Sequence, residues 1–527
     1  MGAEENTVQL RGIKNSSDNN AFTVMAPMSM HGRKQIFTNE EEINGGNLLE
    51  VLNKALAVHR KNRTEEVYLE KYERGIQPIL DRVKNVNGEI NNKVVVNIAN
   101  QIVAFKSAEF AGEPIQYVSR GSNEKAPPLI ERLNSMMLSE GKQKKDFDLT
   151  YRMFTCGVGY RLVRNDKALP IVKKQLFDEA PFEIYTLDPW NTFVIRLNDV
   201  TKRVVAGVTF VFLDENQSAV RYTVYTANAV YTVEGTLTDA KKIVDVEQTN
   251  FGMVPLIEYP CNTVYMGAFE VVLPLLDAIN LTESNRLDGI EQFIQALMVF
   301  EGVDISREQF LELKDLGAIK LPPALDGRQS KVYYLNEQLD QSQTQTLVDD
   351  MYQMILQIVG MPSQGKANTS DSSNNGAMIV KNGWWNAEAR SLEAEEAWKQ
   401  AETEFLRVVL KICGDADVME GLKVSDVEPK FSRRSYEDKL VKTQSFTTLM
   451  NVGVPPIQAY KYSGLDYDPE AATMQYLAYR EQEEAKEEAK IQDQLDQERE
   501  RIANGTNANA GTVQDRRPLS SDIEPAD

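Results

Sequence analysis

The chain carries only two histidines and three cysteines among its 527 residues. Cys156, Cys261 and Cys413 lie far apart, with no CxxC or Cys–His spacing, which argues against a zinc cluster and against a disulfide framework. Three scattered thiols fit a reducing compartment and small buried hydrophobes. His31 falls in a stretch without periodicity, and His59 opens the charged run His59-Arg60-Lys61-Asn62-Arg63. Neither setting favours the base of a nucleophile–histidine site. Positive charge is also short: 58 Lys and Arg face 78 Asp and Glu, for a formal net charge of −20. A protein that coats DNA has the opposite balance; DNA that is guided without being gripped is still allowed. No apolar run reaches the length of a membrane span. The N-terminus lacks the apolar core of a signal peptide, and the acylation-like start Met1-Gly2 has Asn6 where Ser or Thr is wanted. The expectation is a soluble intracellular protein.

What is present is enough for real cores: 42% hydrophobic and 26% charged residues, with a length that fits roughly three or four domain-sized units. Residues 1–38 mix Asn, Ser, Gly and Met without a period and are expected to form a flexible leader. Helical spacing runs through 40–71 (Leu48, Leu49, Leu52, Leu56, Val58, Leu69) until Gly75-Ile76-Gln77-Pro78. A second helix is predicted over 91–110 on Val95, Ile98, Ile102 and Phe105, followed by a strand from Ile115 and a helix over 128–155. Residues 158–260 alternate β-formers between turn residues and read as a mostly antiparallel twisted sheet. Helices first and strands next make an α+β domain.

After Pro260, apolar residues from Phe269 to Leu297 repeat at threes and fours through a helix of roughly 45 Å, with a kink expected at Pro274. A compact piece follows (301–338), then a helix on Leu347, Met351, Ile355 and Ile358. A loop of small polar residues (360–375) leads into a long helix over 376–413. The helical remainder breaks at Gly453-Val454-Pro455-Pro456 and Asp468-Pro469; the Glu- and Lys-rich stretch 469–502 is polar nearly all round, and residues 504–527 read as a disordered tail.

Gly360-Met361-Pro362-Ser363-Gln364-Gly365-Lys366-Ala367 matches G-x-x-x-x-G-K of a phosphate-binding loop up to its last position, where Ala367 replaces the magnesium-binding hydroxyl. The residues before it have helical rather than strand spacing, and Pro362 removes a backbone donor. Gly157-Val158-Gly159 lacks the third glycine of a dinucleotide fingerprint, Leu162 standing there. Carboxylate pairs such as Asp349-Asp350, Glu395-Glu396 and Glu483-Glu484 read as solvated helix faces rather than acid–base pairs or metal cages. Trp384, Trp385 and Trp398 read as anchors of helix or subunit packing, with base stacking by the doublet as the other reading. No catalytic constellation, metal site or cofactor site emerges.

The order of these parts resembles the portal proteins of tailed bacteriophages, in particular the family common in long-tailed phages of Gram-positive hosts, from about Asn47 to Glu500. The resemblance rests on Asn92-Lys93 through Gly112-Glu113-Pro114-Ile115-Gln116-Tyr117, on Gly157-Val158-Gly159-Tyr160-Arg161-Leu162-Val163, and on Leu187-Asp188-Pro189 to Ile195. It continues with Val359-Gly360-Met361-Pro362 before Gly376-Ala377-Met378 and a long helix, and with Phe431-Ser432-Arg433-Arg434 before a helical end.

The resemblance implies a homo-oligomeric ring, dodecameric in the assembled head, around a channel for double-stranded DNA. It implies a wing at 39–266, stem helices at 267–300 and 339–359, a clip at 301–338 and a tunnel loop at 360–375. Residues 376–430 would form a long helix and a return to the wing, and 431–503 a helical crown. Ser363, Gln364, Lys366, Asn368, Ser370 and Asn374 would face DNA from the tunnel loop, and Arg307, Lys314, Lys320 and Arg328 would meet partners at the clip. The implied partners are the terminase large subunit, head–tail connector or adaptor proteins, and major capsid and scaffolding proteins, with no membrane. The chain is then expected to be no enzyme; the alternative is a P-loop-like ATPase or nuclease subunit of a DNA-processing machine using Lys366.

Overall fold

The computed structural model describes residues 32–84, 88–120, 125–165, 180–249, 251–294, 298–301, 331–334, 341–362, 375–431, 439–465 and 469–507. The chain divides into two compact units, residues 1–434 and 435–527. In the first, β1 (Ile36–Thr38) and α1 (Leu48–Glu73) precede α2 (Ile98–Ala111), β2 (Gln116–Ser119), α3 (Ala126–Ser139) and α4 (Lys142–Cys156). Strands β3 (Val158–Asn165), β4 (Phe182–Leu187), β5 (Thr192–Leu197), β6 (Val204–Phe212), β7 (Val220–Tyr225), β8 (Ala229–Gly235), β9 (Ala240–Gln248) and β10 (Leu256–Pro260) follow. Then come α5 (Leu273–Ile294), β11 (Met298–Glu301), β12 (Lys331–Tyr334), α6 (Gln341–Val359), α7 (Asn375–Asp415) and β13 (Val427–Lys430). Helix and sheet are mixed, as an α+β chain requires.

Alternating Val, Tyr and Phe along β5 to β8 give each strand one apolar face. They build a six-stranded sheet in the order β1-β5-β6-β7-β8-β9, beside a three-stranded sheet β10-β3-β4. Helix α1 covers one face of the larger sheet, its Leu52 and Leu56 packing with Phe193, Phe210 and Tyr222. The opposite face meets the smaller sheet through Val194, Tyr225 and Leu256. The largest core joins α2, α3, α4, the smaller sheet, the start of α5, the end of α6 and the second half of α7.

Several expectations from sequence need correction. Residues 32–38 are not leader: Ile36–Thr38 pair in parallel with Ile195–Leu197 at the edge of a sheet that is otherwise antiparallel. Burial of Ile36 and Arg33 explains why this segment is held. The helix predicted from residue 91 starts only at Ile98, and 91–97 form neither helix nor strand. The helix expected over 128–155 is two helices, divided at Gly141 with φ +63°. Pro274 kinks nothing, because it stands in the first turn of α5, where a missing amide costs no helical hydrogen bond. Helical spacing overran at the other end as well: Met298–Glu301 are a strand, paired antiparallel with Lys331–Tyr334. The β-formers Met298-Val299-Phe300 find a partner strand there, which helical periodicity could not reveal.

The second unit holds α8 (Lys439–Asn451), α9 (Pro456–Ser463) and α10 (Pro469–Asn507). Phe446 packs against Tyr460 in a tilted pair, with ring centroids 4.4 Å apart. Helix α10 continues to Asn507, so the start of the expected tail at 504 is still helical.

Candidate functional site

Helices α5 and α6 form an antiparallel pair, tied across by Arg286 Nη1 donating to Gln345 Oε1 at 2.7 Å, and between them in sequence β11 pairs antiparallel with β12. Beside α5 runs the extended segment 92–96. Its alternate amides donate to side chains spaced four apart on the helix. Val96 N bonds Asn280 Oδ1 (2.8 Å), Val94 N bonds Ser284 Oγ (2.9 Å), and Asn92 N bonds Asp288 Oδ1 (2.7 Å). Two extended residues span about 6.6 Å, four helical residues about 6.0 Å, so the two repeats stay in step. Asp288 also takes Arg82 Nη2 at 3.0 Å and Lys84 Nζ at 2.9 Å. Burial works to raise the Asp288 pKa, but the Lys84 ammonium, the Asn92 donors and Arg82 outweigh it and hold the carboxyl below its usual range.

Helix α6 is apolar on two faces. Ile355, Leu356 and Val359 are buried in the main core. Leu347, Met354 and Ile358 face outward, at spacings of seven and four, and are 53%, 52% and 41% exposed. Leu287 and Ile290 of α5 are also exposed. At 100° per residue the outer face of α6 is centred about 125° from the buried one.

The long helix α7 is fixed by a buried charge clamp. Glu402 accepts from Lys142 Nζ at 2.9 Å, from Arg161 Nη1 at 3.3 Å, from Tyr117 OH at 2.5 Å and from Tyr259 OH at 2.8 Å. Asp146 closes the ring by pairing with Lys142 at 2.6 Å and with Arg161. Burial opposes ionisation of Glu402, yet Lys142 and Arg161 prevail and pull its pKa down to about 2. Trp398 lies one turn away, fully buried, 4.6 Å from Tyr259 and 5.4 Å from Phe110. The clamp was not foreseen, although a signal existed: Glu402 stands on the stripe Trp398, Ala401, Phe405, a charge at a core position.

Of the other residues proposed from sequence, Ser363, Gln364, Lys366, Asn368, Ser370 and Asn374 lie outside the described residues, as do Arg307, Lys314, Lys320 and Arg328. Trp384 and Trp385 fall within α7, and their side chains lie outside what is described. The first glycine of the phosphate-loop match can be placed. Gly360, at φ +71°, ends α6: Gly360 N bonds Gln357 O and Met361 N bonds Leu356 O. This is the Schellman arrangement, in which glycine supplies the left-handed residue. A phosphate-binding loop instead leaves a strand and opens a helix.

His59 is buried against Phe193, with ring centroids 4.4 Å apart, and burial pushes its pKa down to about 3. Burial pushes the Cys261 and Cys413 thiols up to about 12, and Cys156 well above its ordinary value. These are packed side chains rather than proton shuttles or nucleophiles. Among the described residues no group of three or more His, Cys, Asp and Glu is arranged to hold a metal. No helix among them is long and apolar enough to cross a membrane.

Residues 53–497 match the family described as Phage portal protein, SPP1 Gp6-like, and the chain belongs to that family. No curated protein matches the chain. Members of a portal family are structural rather than enzymatic, and membership implies a homo-oligomeric ring associated with the capsid, at a vertex of the virion.

Proposed function

We propose that the chain is the subunit of a ring channel at one capsid vertex, through which double-stranded DNA is packaged and later ejected. On this reading residues 39–266 are the wing, α5 and α6 the stem, and β11, β12 and the residues between them the clip. The clip would present Arg307, Lys314, Lys320 and Arg328 to the terminase large subunit and later to head–tail connector proteins. Residues 360–375 would be the tunnel loop, and 431–503 the crown. Major capsid and scaffolding proteins would surround the ring. The observation that carries the reading is the antiparallel α5–α6 pair, with the antiparallel strands β11 and β12 between them in sequence and a second, outward apolar face on α6. An exposed stripe on a helix already packed on one side fits a neighbouring subunit in a closed ring.

The acidic balance of the chain acquires a physical role here. Phosphate contacts generate salt-sensitive affinity, and a channel that conducts DNA must avoid it. A negative wall repels the duplex from all sides within a Debye length of about 8 Å at physiological salt. Lys366 of each subunit would add one ring of transient attraction within a neutral loop. Negative-stain imaging of the purified chain tests the reading. It expects rings with a central hole wide enough for duplex DNA; compact monomers or open filaments would overturn it.

A further inference from the structure

Residues 261–272 lead from β10 into α5, and the N-terminal segment 32–38 grips this stretch at several points. Arg33 N donates to Tyr265 O at 3.1 Å, and Gln35 Nε2 to Tyr265 OH at 2.9 Å. Arg33 Nη2 pairs with Glu270 Oε1 at 2.5 Å, while its Nε meets Glu65 of α1 at 3.2 Å. Gly32, at φ +72°, presses so close that an added Cβ would lie 1.8 Å from Val264 O. The gripped stretch is itself under tension. Tyr265 adopts φ +58°, a left-handed conformation unfavourable for a side chain of its size, and Glu270 folds back to accept from Gly267 N at 2.9 Å. The far side of the grip is anchored independently. Asn62 of α1 reads both backbone groups of Lys34, accepting from its N at 3.0 Å and donating to its O at 2.7 Å, and Ile36–Thr38 join the sheet through β5.

We propose that residues 32–38 are a strap that locks the joint between β10 and α5, with Arg33 as the positioning residue that ties α1 to the entrance of α5. The strap bridges elements about 230 residues apart in sequence, and the contacts named above fall between Val264 and Glu270 of the joint. Its side chains and backbone therefore hold the strained Tyr265 turn, and with it the direction in which α5 departs. Release of the strap leaves the Glu270 carboxylate buried without its guanidinium and lets the turn relax, so α5 gains freedom while the sheet and its core stay intact. That α5 is a stem helix, so that the strap sets the wing-to-stem angle in a ring, rests on the portal reading; the lock itself does not.

Hydrogen–deuterium exchange of the full chain, followed by mass spectrometry, tests it with Arg33→Met and the milder Gln35→Ala. The expected result is exchange in 261–275 faster by about tenfold for Arg33→Met and by about two- to threefold for Gln35→Ala, with β6, β7 and β8 at wild-type protection. Wild-type exchange across 261–275 in both variants overturns the strap, because the contacts would then hold nothing. Acceleration spread equally over the six-stranded sheet overturns it too, since Arg33 would then be one more core residue. Ring formation, scored separately by negative stain of the wild-type chain, reports on the portal reading alone.

Discussion

The hydroxyl of Ser284, on the inward face of α5, accepts the backbone amide of Val94 at 2.9 Å, as the middle rung of three between helix and extended chain. A backbone amide without a sheet partner is thus satisfied by a helix side chain, the accounting that a buried extended segment demands. Asn280→Ala removes the rung to Val96 and also the donor to Gln77 Oε1. The expected loss is about 1–3 kcal/mol of unfolding free energy, read from the midpoint of chemical denaturation followed by tryptophan fluorescence. An unchanged midpoint would show that the ladder does not hold segment 92–96.

Glu402 links stability to acid. Its pKa is lowered from 4.5 to about 2 in the folded chain. Its contribution is therefore complete above pH 4.5 and is lost as pH falls toward 2. Glu402→Ala should cost about 3–5 kcal/mol at neutral pH by stranding Lys142 and Arg161. Differential scanning calorimetry between pH 2.5 and 6 should find the gap between wild type and variant shrinking steadily on the acid side. A gap independent of pH would count against the clamp.

Glu66 carries the opposite sign. It is buried, its Oε2 accepts no hydrogen bond among the described residues, and burial raises its pKa to about 8. Stability associated with this group is complete below pH 4.5 and is lost as pH rises toward 8. Glu66→Gln should accordingly gain on wild type by on the order of 1–3 kcal/mol at pH 8.5, with the difference fading toward pH 5. A melting series across that range checks the slope.

The outer face of α6 should govern assembly rather than folding. Met354→Glu changes a residue that is 52% exposed in the single chain, so its own stability should move by about 0.5 kcal/mol or less. Ring yield by native mass spectrometry should fall sharply. Rings at wild-type yield would exclude this face from the subunit contact.

Reversing the charge of Lys366 addresses the channel. Lys366→Glu should slow or stall DNA packaging in a reconstituted head assay while rings still assemble, because on the proposed reading it replaces a transient phosphate attraction with repulsion. Packaging at the wild-type rate would dispose of that role. Purified wild-type rings, free of the packaging motor, should show no ATP turnover.

Period and punctuation determined much of this chain from sequence alone. The stripes of α1, α6 and α7, the alternating strands of 158–260 and the breaks before Pro456 and Pro469 are local signals, and the elements appear where those signals stand. Helical preference failed where a distant partner intervened. Val94 and Val96 have a helical neighbourhood in sequence, but Ser284 and Asn280 offer their amides acceptors nearly 190 residues away. Met298-Val299-Phe300 became a strand because Val332, Tyr333 and Tyr334 were there to pair.

Only the tertiary structure decided which charges are solvated and which are structural. Glu396 and Glu402 look alike along the chain, yet Glu396 is solvated while Glu402 meets Lys142 of α4 and Arg161, Tyr117 and Tyr259 of β3, β2 and β10. Glu395, expected to be solvated with Glu396, is instead buried and paired with Lys399 of its own helix at 2.8 Å. The physical reason is range. Helix and strand spacing are set by neighbours a few residues apart, whereas the ionisation of a buried carboxylate and the docking of segment 32–38 depend on groups that only folding brings into hydrogen-bonding distance.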